Sequence, residues 1–175
     1  MAKAEITQKH STALPATRVT LRILIVLNWI LGGLILALLA VSFVIEEWTW
    51  RALGVGAIAG HERVVAGMRA IMVVGLVGTP ISNVVFSRLL RIVESVRTGE
   101  AFTRDNAGRL RTIAWAMLGR IIVVAIASAV STKEVPLHMN GNFHVTAWLA
   151  ILMLFVLAQL FLEGTRMRED LEGTV

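Results

Sequence analysis

Apolar and polar residues alternate along this chain in long blocks. Residues 23–45, 70–86 and 145–162 carry no charge, and residues 113–130 carry only Arg120. These runs are 23, 17, 18 and 18 residues long, and a helix crosses a bilayer core with ~20 residues, in a range of about 17–25. Each predicts a spanning helix, because a segment in lipid must satisfy its own backbone hydrogen bonds. None shows the strict alternation of a barrel strand. The first run exceeds the ~7–15 apolar residues of a signal peptide and no clear A-x-A site follows it, so it reads as a retained helix.

Composition narrows the class further. The chain has 175 residues, 56% hydrophobic, only 17% charged and no cysteine, with a mean hydropathy of +0.73. Those values exclude a disordered chain, a disulfide scaffold and an ordinary soluble enzyme. Too little lies outside the spans for an independent soluble domain. The chain therefore reads as one transmembrane domain over 1–175, an all-α integral membrane four-helix bundle. Its segments are a tail (1–22), TM1 (23–45), an outer loop (46–69), TM2 (70–86), a hairpin (87–112), TM3 (113–130), an outer loop (131–144), TM4 (145–162) and a second tail (163–175).

The basic residues give the orientation. Lys3, Lys9, Arg18, Arg22, Arg88, Arg91, Arg97, Arg104, Arg109, Arg111, Arg166 and Arg168 fall on one side of the predicted bilayer. Arg51, Arg63, Arg69 and Lys133 fall on the other. The positive-inside rule then places both termini and the hairpin in the cytoplasm of a bacterial inner membrane. Trp48, Trp50, Trp115 and Trp148 fall at the predicted interfaces, where amphipathic rings settle. The pI near 11 is thus a topology signal, and no direct nucleic-acid partner is expected.

Past TM2 the helical pattern continues, with Leu89, Ile92, Val93 and Val96 on one face and Arg88, Arg91, Glu94 and Arg97 around it. Gly99 is placed to stop that helix, and Thr103 or Asp105 to cap the next. Helices two and three should therefore project as a basic cytoplasmic hairpin. Its arginines suit either anionic headgroups or a docked protein. The stretch 52–60 is glycine-rich and too short to span. His61, Glu62 and Arg63 read as a solvated loop end.

Within the spans, Asn28, Asn83, Arg120 and Gln159 are the candidate intramembrane polar residues. All four come out in the cytoplasmic half and could share one polar layer. Arg120 can equally reach back to the headgroups, since helical side chains lean toward the N-terminus. Thr79 and Pro80, after Gly75 and Gly78, suit a break and close helix packing.

Recognisable catalytic chemistry is absent from the sequence. His61-Glu62 opens no H-E-x-x-H motif, and there is no G-x-S-x-G elbow, Walker loop, dinucleotide fingerprint or nucleophilic cysteine. His138, Met139 and His144 make a weak metal set. No metal or other cofactor is expected, and no enzymatic activity. No span holds the acidic residue that a proton-coupled carrier uses.

Two stretches carry a resemblance. Gly99, Phe102 and Asn106 fit a G-x-x-F-x-x-x-N inner loop, and Phe161, Gly164, Asp170, Thr174 and Val175 fit an F-x-x-G-x-x-L-x-x-D/E-x-x-x-T-V tail, with Met167 in place of the leucine. The chain resembles an uncharacterised bacterial four-helix inner-membrane family, domain-of-unknown-function family 2975. The resemblance implies no assigned activity. It implies a cytoplasmic partner such as a helix-turn-helix regulator, because family members are often encoded beside one. It therefore favours docking on the cytoplasmic face, with Arg91, Arg97, Gly99, Phe102, Asn106, Arg109, Arg166, Arg168, Glu169 and Asp170 as the candidate surface. The alternative is a small homo-oligomeric transporter or channel whose flux depends on Arg120, Asn28 or Asn83.

Overall fold

The computed structural model describes residues 2–44, 61–130 and 145–172, with side chains over 15–44, 65–128 and 145–170. These residues form four α-helices: α1 (Ala2–Val44), α2 (His61–Arg97), α3 (Arg104–Val130) and α4 (Val145–Glu172). Each contains a stretch long and apolar enough to cross a membrane: Pro15–Val44, Val65–Arg97, Arg104–Ser128 and Val145–Asp170.

The helices outrun the apolar runs that predict them. α1, with 43 residues, is ~65 Å long at about 1.5 Å per residue. The expected N-terminal tail is thus helical from Ala2 onward, through Pro15. α2, with 37 residues, is ~55 Å long against a bilayer core of ~30 Å. It starts at His61, so the segment 61–69, expected as loop, is helix. Val65 in that first part is buried, and Arg69 reaches across to α1, which gives the added turns a packing partner. α4 likewise carries helix through Glu172, into the expected tail.

Extensive packing joins consecutive helices only: α1 with α2, α2 with α3, and α3 with α4. Among the described residues the bundle is therefore open, with α1 and α4 at its edges. Both edge helices present long apolar rows outward, including Leu27, Leu31 and Leu34 on α1 and Leu149, Leu152 and Met153 on α4. Lipid is the solvent such rows require.

The buried residues concentrate at one end. Ala107, Leu110 and Ala114, spaced three and four apart on α3, are buried with Asn106 and Ile113 beside them. In the spans α1 and α2 approach closely at Gly32 of α1, where a Cβ would stand 2.6 Å from Thr79 Cγ2 of α2. Only a hydrogen side chain fits there.

Candidate functional site

The turn between α2 and α3 is built by local chemistry. The N–H of Glu100 donates to Ser95 O at 3.0 Å and that of Gly99 to Val96 O at 3.1 Å. This is the paired-bond ending that needs a left-handed residue after the cap. Gly99 supplies it with φ 86°, as the sequence predicts. Of the two expected caps, Thr103 is the one used: its Oγ1 accepts from the N–H of Asn106 at 3.2 Å. The Ala107 N–H then bonds Thr103 O at 3.1 Å to open α3. Asp105 in the first turn complements the helix dipole.

Asn106 is the centre of this turn. Its side chain is fully buried. Nδ2 donates to Ala101 O at 2.8 Å, Ser95 Oγ at 3.0 Å and Glu100 O at 3.2 Å. Its Oδ1 accepts from Arg109 Nη1 at 2.7 Å. Arg109 in turn reaches Arg91 O at 3.3 Å and stands 3.8 Å from Asp105. One amide side chain therefore joins the end of α2, the turn and α3. Asn106, a candidate for partner docking in the sequence, is thus buried with its polar atoms bonded inward. Gly99 and Arg109 likewise serve the turn's own architecture.

The hairpin is fastened to the end of α4. The Phe102 ring packs 5.0 Å from that of Phe161, and a Cβ at Gly164 would stand 3.1 Å from Phe102 Cδ1. Arg104 Nη2 donates to Glu169 Oε2 at 2.7 Å. Arg104 lies outside the apolar run 113–130. Its guanidinium is held above its ordinary value by that hydrogen bond, then by the carboxylate's charge. Thr165 is buried and bonds back to Phe161 O at 2.8 Å. The two stretches that carry the resemblance thus meet in space through Phe102, Phe161 and Gly164. Thr174 and Val175 lie outside the described residues.

What remains outward is a charged surface. Arg91, Arg97, Phe102, Arg166, Arg168, Glu169 and Asp170 are exposed. Arg166 sits 3.4 Å from Glu163, and Arg168 and Asp170 have polar contacts of their own. An open cleft of about 270 Å³ runs along the hairpin, lined by Arg91, Glu94, Ser95, Thr98, Glu100, Thr103, Asp105 and Arg109. Glu94 on its edge pairs with Arg18 of α1 at 2.7 Å, so α1 is tied to the same end.

The intramembrane polar residues do not form one layer. Asn28 Nδ2 donates to Thr79 O at 3.0 Å across the α1–α2 contact. Asn83 Oδ1 is buried with no partner among the described residues. Arg120 and Gln159 are exposed on the outer surfaces of α3 and α4. An outward Arg120 fits a side chain that reaches back to headgroups.

A polar clasp that the sequence did not suggest lies at the opposite end. Arg69 Nε donates to Ser42 Oγ at 2.7 Å, and its Nη2 bonds Ser42 O. Its guanidinium lies 4.3 Å from the Phe43 ring centroid. Ser42 is buried. The only signal was an arginine beside an apolar run, which read as a loop charge. Trp48, Trp50, the stretch 52–60, and His138, Met139 and His144 lie outside the described residues. Among the described residues no group of three His, Asp or Glu is placed to hold a metal ion.

Four long apolar helices in an open series, with a polar knot at one end, define an all-helical multi-pass membrane protein. The sequence matches the family described as protein of unknown function (DUF2975) over residues 53–175, and the chain belongs to it. No curated protein matches the chain, and no solved structure does.

Proposed function

We propose that this chain is a non-enzymatic protein of the bacterial inner membrane, with both termini and the α2–α3 hairpin in the cytoplasm. The hairpin and the end of α4 dock a cytoplasmic partner, such as a helix-turn-helix regulator. The observation that supports this reading most is the joining of two sequence-distant stretches into one surface. Phe102 against Gly164 and Phe161, with Arg104 on Glu169, brings the hairpin turn to the end of α4 that carries the exposed Arg166, Arg168 and Asp170. The orientation rests on the distribution of Lys and Arg. A rigid platform lowers the ordering cost of binding.

The test is co-purification of a candidate regulator with the membrane-inserted chain. Arg97→Glu with Arg166→Glu should abolish it, and so should deletion of 171–175, with insertion unchanged. Full retention of the regulator by both variants would remove the docking role. A second reading, a homo-oligomeric transporter or channel, draws on Asn83 Oδ1, buried without a hydrogen-bond partner among the described residues. It requires a stable oligomer in detergent and a flux that Asn83→Leu eliminates.

A further inference from the structure

The arginines of this end divide into two groups. Arg18, Arg104, Arg109 and Arg166 each have a carboxylate within ion-pair distance: Glu94, Glu169, Asp105 and Glu163. Of the five that have none among the described residues, Arg91 and Arg97 lie toward the hairpin tip, and Arg22, Arg88 and Arg111 form the second group. The second group shares a sequence position. Arg22 immediately precedes the first apolar run, Arg88 follows the second by two residues, and Arg111 precedes the third by two.

The contacts between helices show that these three also share a height. On α1 and α2, Arg18 pairs with Glu94 and Asn28 with Thr79, so Arg22 comes opposite residues 88–89. On α2 and α3, Asn106 meets Ser95 and Arg109 meets Arg91, so Arg111 also comes opposite residues 88–89. Three helices thus carry a guanidinium at one level, at the edge of the apolar slab. Arg22 and Arg111 are exposed and Arg88 is half-buried. The nearest carboxylates along the chain, Glu94 and Asp105, stand six residues farther out and face Arg18 and Arg109. Arg91 and Arg97 lie about one and two and a half turns beyond Arg88, toward the hairpin tip.

A fixed cation at the edge of a low-dielectric slab attracts an anion strongly, and guanidinium matches phosphate oxygens in a bidentate fork. The anion found at that height in a bilayer is the lipid phosphodiester. Zwitterionic lipids carry their own ammonium beside it, so three unpaired cations favour a headgroup with net negative charge. We propose that Arg22, Arg88 and Arg111 form a band that selects anionic phospholipid around this end of the protein. It is separate from the outer tip assigned above to a protein partner.

The test uses the full chain in nanodiscs of equal phosphatidylglycerol and phosphatidylcholine, released into native mass spectrometry to count retained lipids. At about fivefold per arginine, phosphatidylglycerol should be strongly enriched on the unmodified chain. The triple change Arg22→Gln, Arg88→Gln and Arg111→Gln should remove that enrichment. A charge-matched control, Arg97→Gln, Arg104→Gln and Arg168→Gln, should keep it. If the triple variant does not fold, the exposed single change Arg111→Gln should still lower the enrichment about fivefold. No enrichment on the unmodified chain overturns the proposal. So does an equal loss in the control, which would make net charge, and not this band, the cause.

Discussion

The two halves of this molecule hold together by different physics. In the spans the helices touch at a few points: Gly32 against Thr79, Asn28 on Thr79 O, and Arg69 on Ser42. Few side chains there are buried. At the hairpin end a fully buried asparagine, a capped turn and the Arg104–Glu169 ion pair fix α2, α3 and α4, with α1 tied on through the Arg18–Glu94 pair. Lipid tails are as apolar as leucine, so burial gives spanning helices little reason to associate. Where water returns, an unpaired polar group in the interior costs ~1–3 kcal/mol. The mutual arrangement is therefore fixed most tightly at the hairpin end.

Asn106→Ala is the strongest way to break that contrast. It leaves Ser95, two carbonyls and Arg109 without their shared partner, and should cost about 3 kcal/mol. Equilibrium unfolding in mixed micelles would measure it. Asn106→Asp should be no milder, because a carboxylate cannot donate to the three oxygens that Nδ2 serves.

In the spans, the largest effect should come from Gly32→Ala, which sets a methyl 2.6 Å from Thr79 Cγ2. We expect a loss of about 1–2 kcal/mol from overpacking. A double-mutant cycle with Thr79→Ala should recover most of it. Recovery of nothing would show that the α1–α2 contact lies elsewhere.

Gly164→Ala should cost less, under about 1 kcal/mol. Its new methyl would meet the half-exposed Phe102 ring at 3.1 Å, and that ring has room to turn. A shift in the Phe102–Phe161 ring contact would report it in aromatic NMR signals. The smallest effect should be that of Arg120→Leu, with unfolding stability equal to or above that of the parent. Arg120 has no hydrogen bond or ion pair to lose among the described residues and a desolvation cost to shed. Clear destabilisation would show that Arg120 is held within the assembly.

The sequence made the spans legible because a bilayer imposes a length and a composition on every crossing. It also made the turn legible, since Gly99 and Thr103 act through their own backbone neighbours. What it hid depends on tertiary neighbours. Asn106 looked like a surface residue because asparagine in a polar loop usually is one. Its burial follows from Ser95, Ala101 and Arg109 converging on it. Arg69 looked like a loop charge because nothing in its own segment announces Ser42, 27 positions earlier. The proposed polar layer failed for a related reason. Depth along a helix can be counted from sequence, but the side of the helix that meets a neighbour depends on packing, and Arg120 and Gln159 turned outward.

The length of α2 has a mechanical consequence. The helix is continuous through Pro80, where the sequence suggested a break, and runs past Phe86 to Arg97, with the turn beyond it locked by Asn106. Helices in bilayers adjust to thickness by tilting. A tilt of about 10° about the middle of the apolar run carries the Arg97 end sideways by ~5 Å, given ~28 Å of lever at about 1.5 Å per residue. On the proposed topology, the membrane's thickness is thereby written into the position of the hairpin tip.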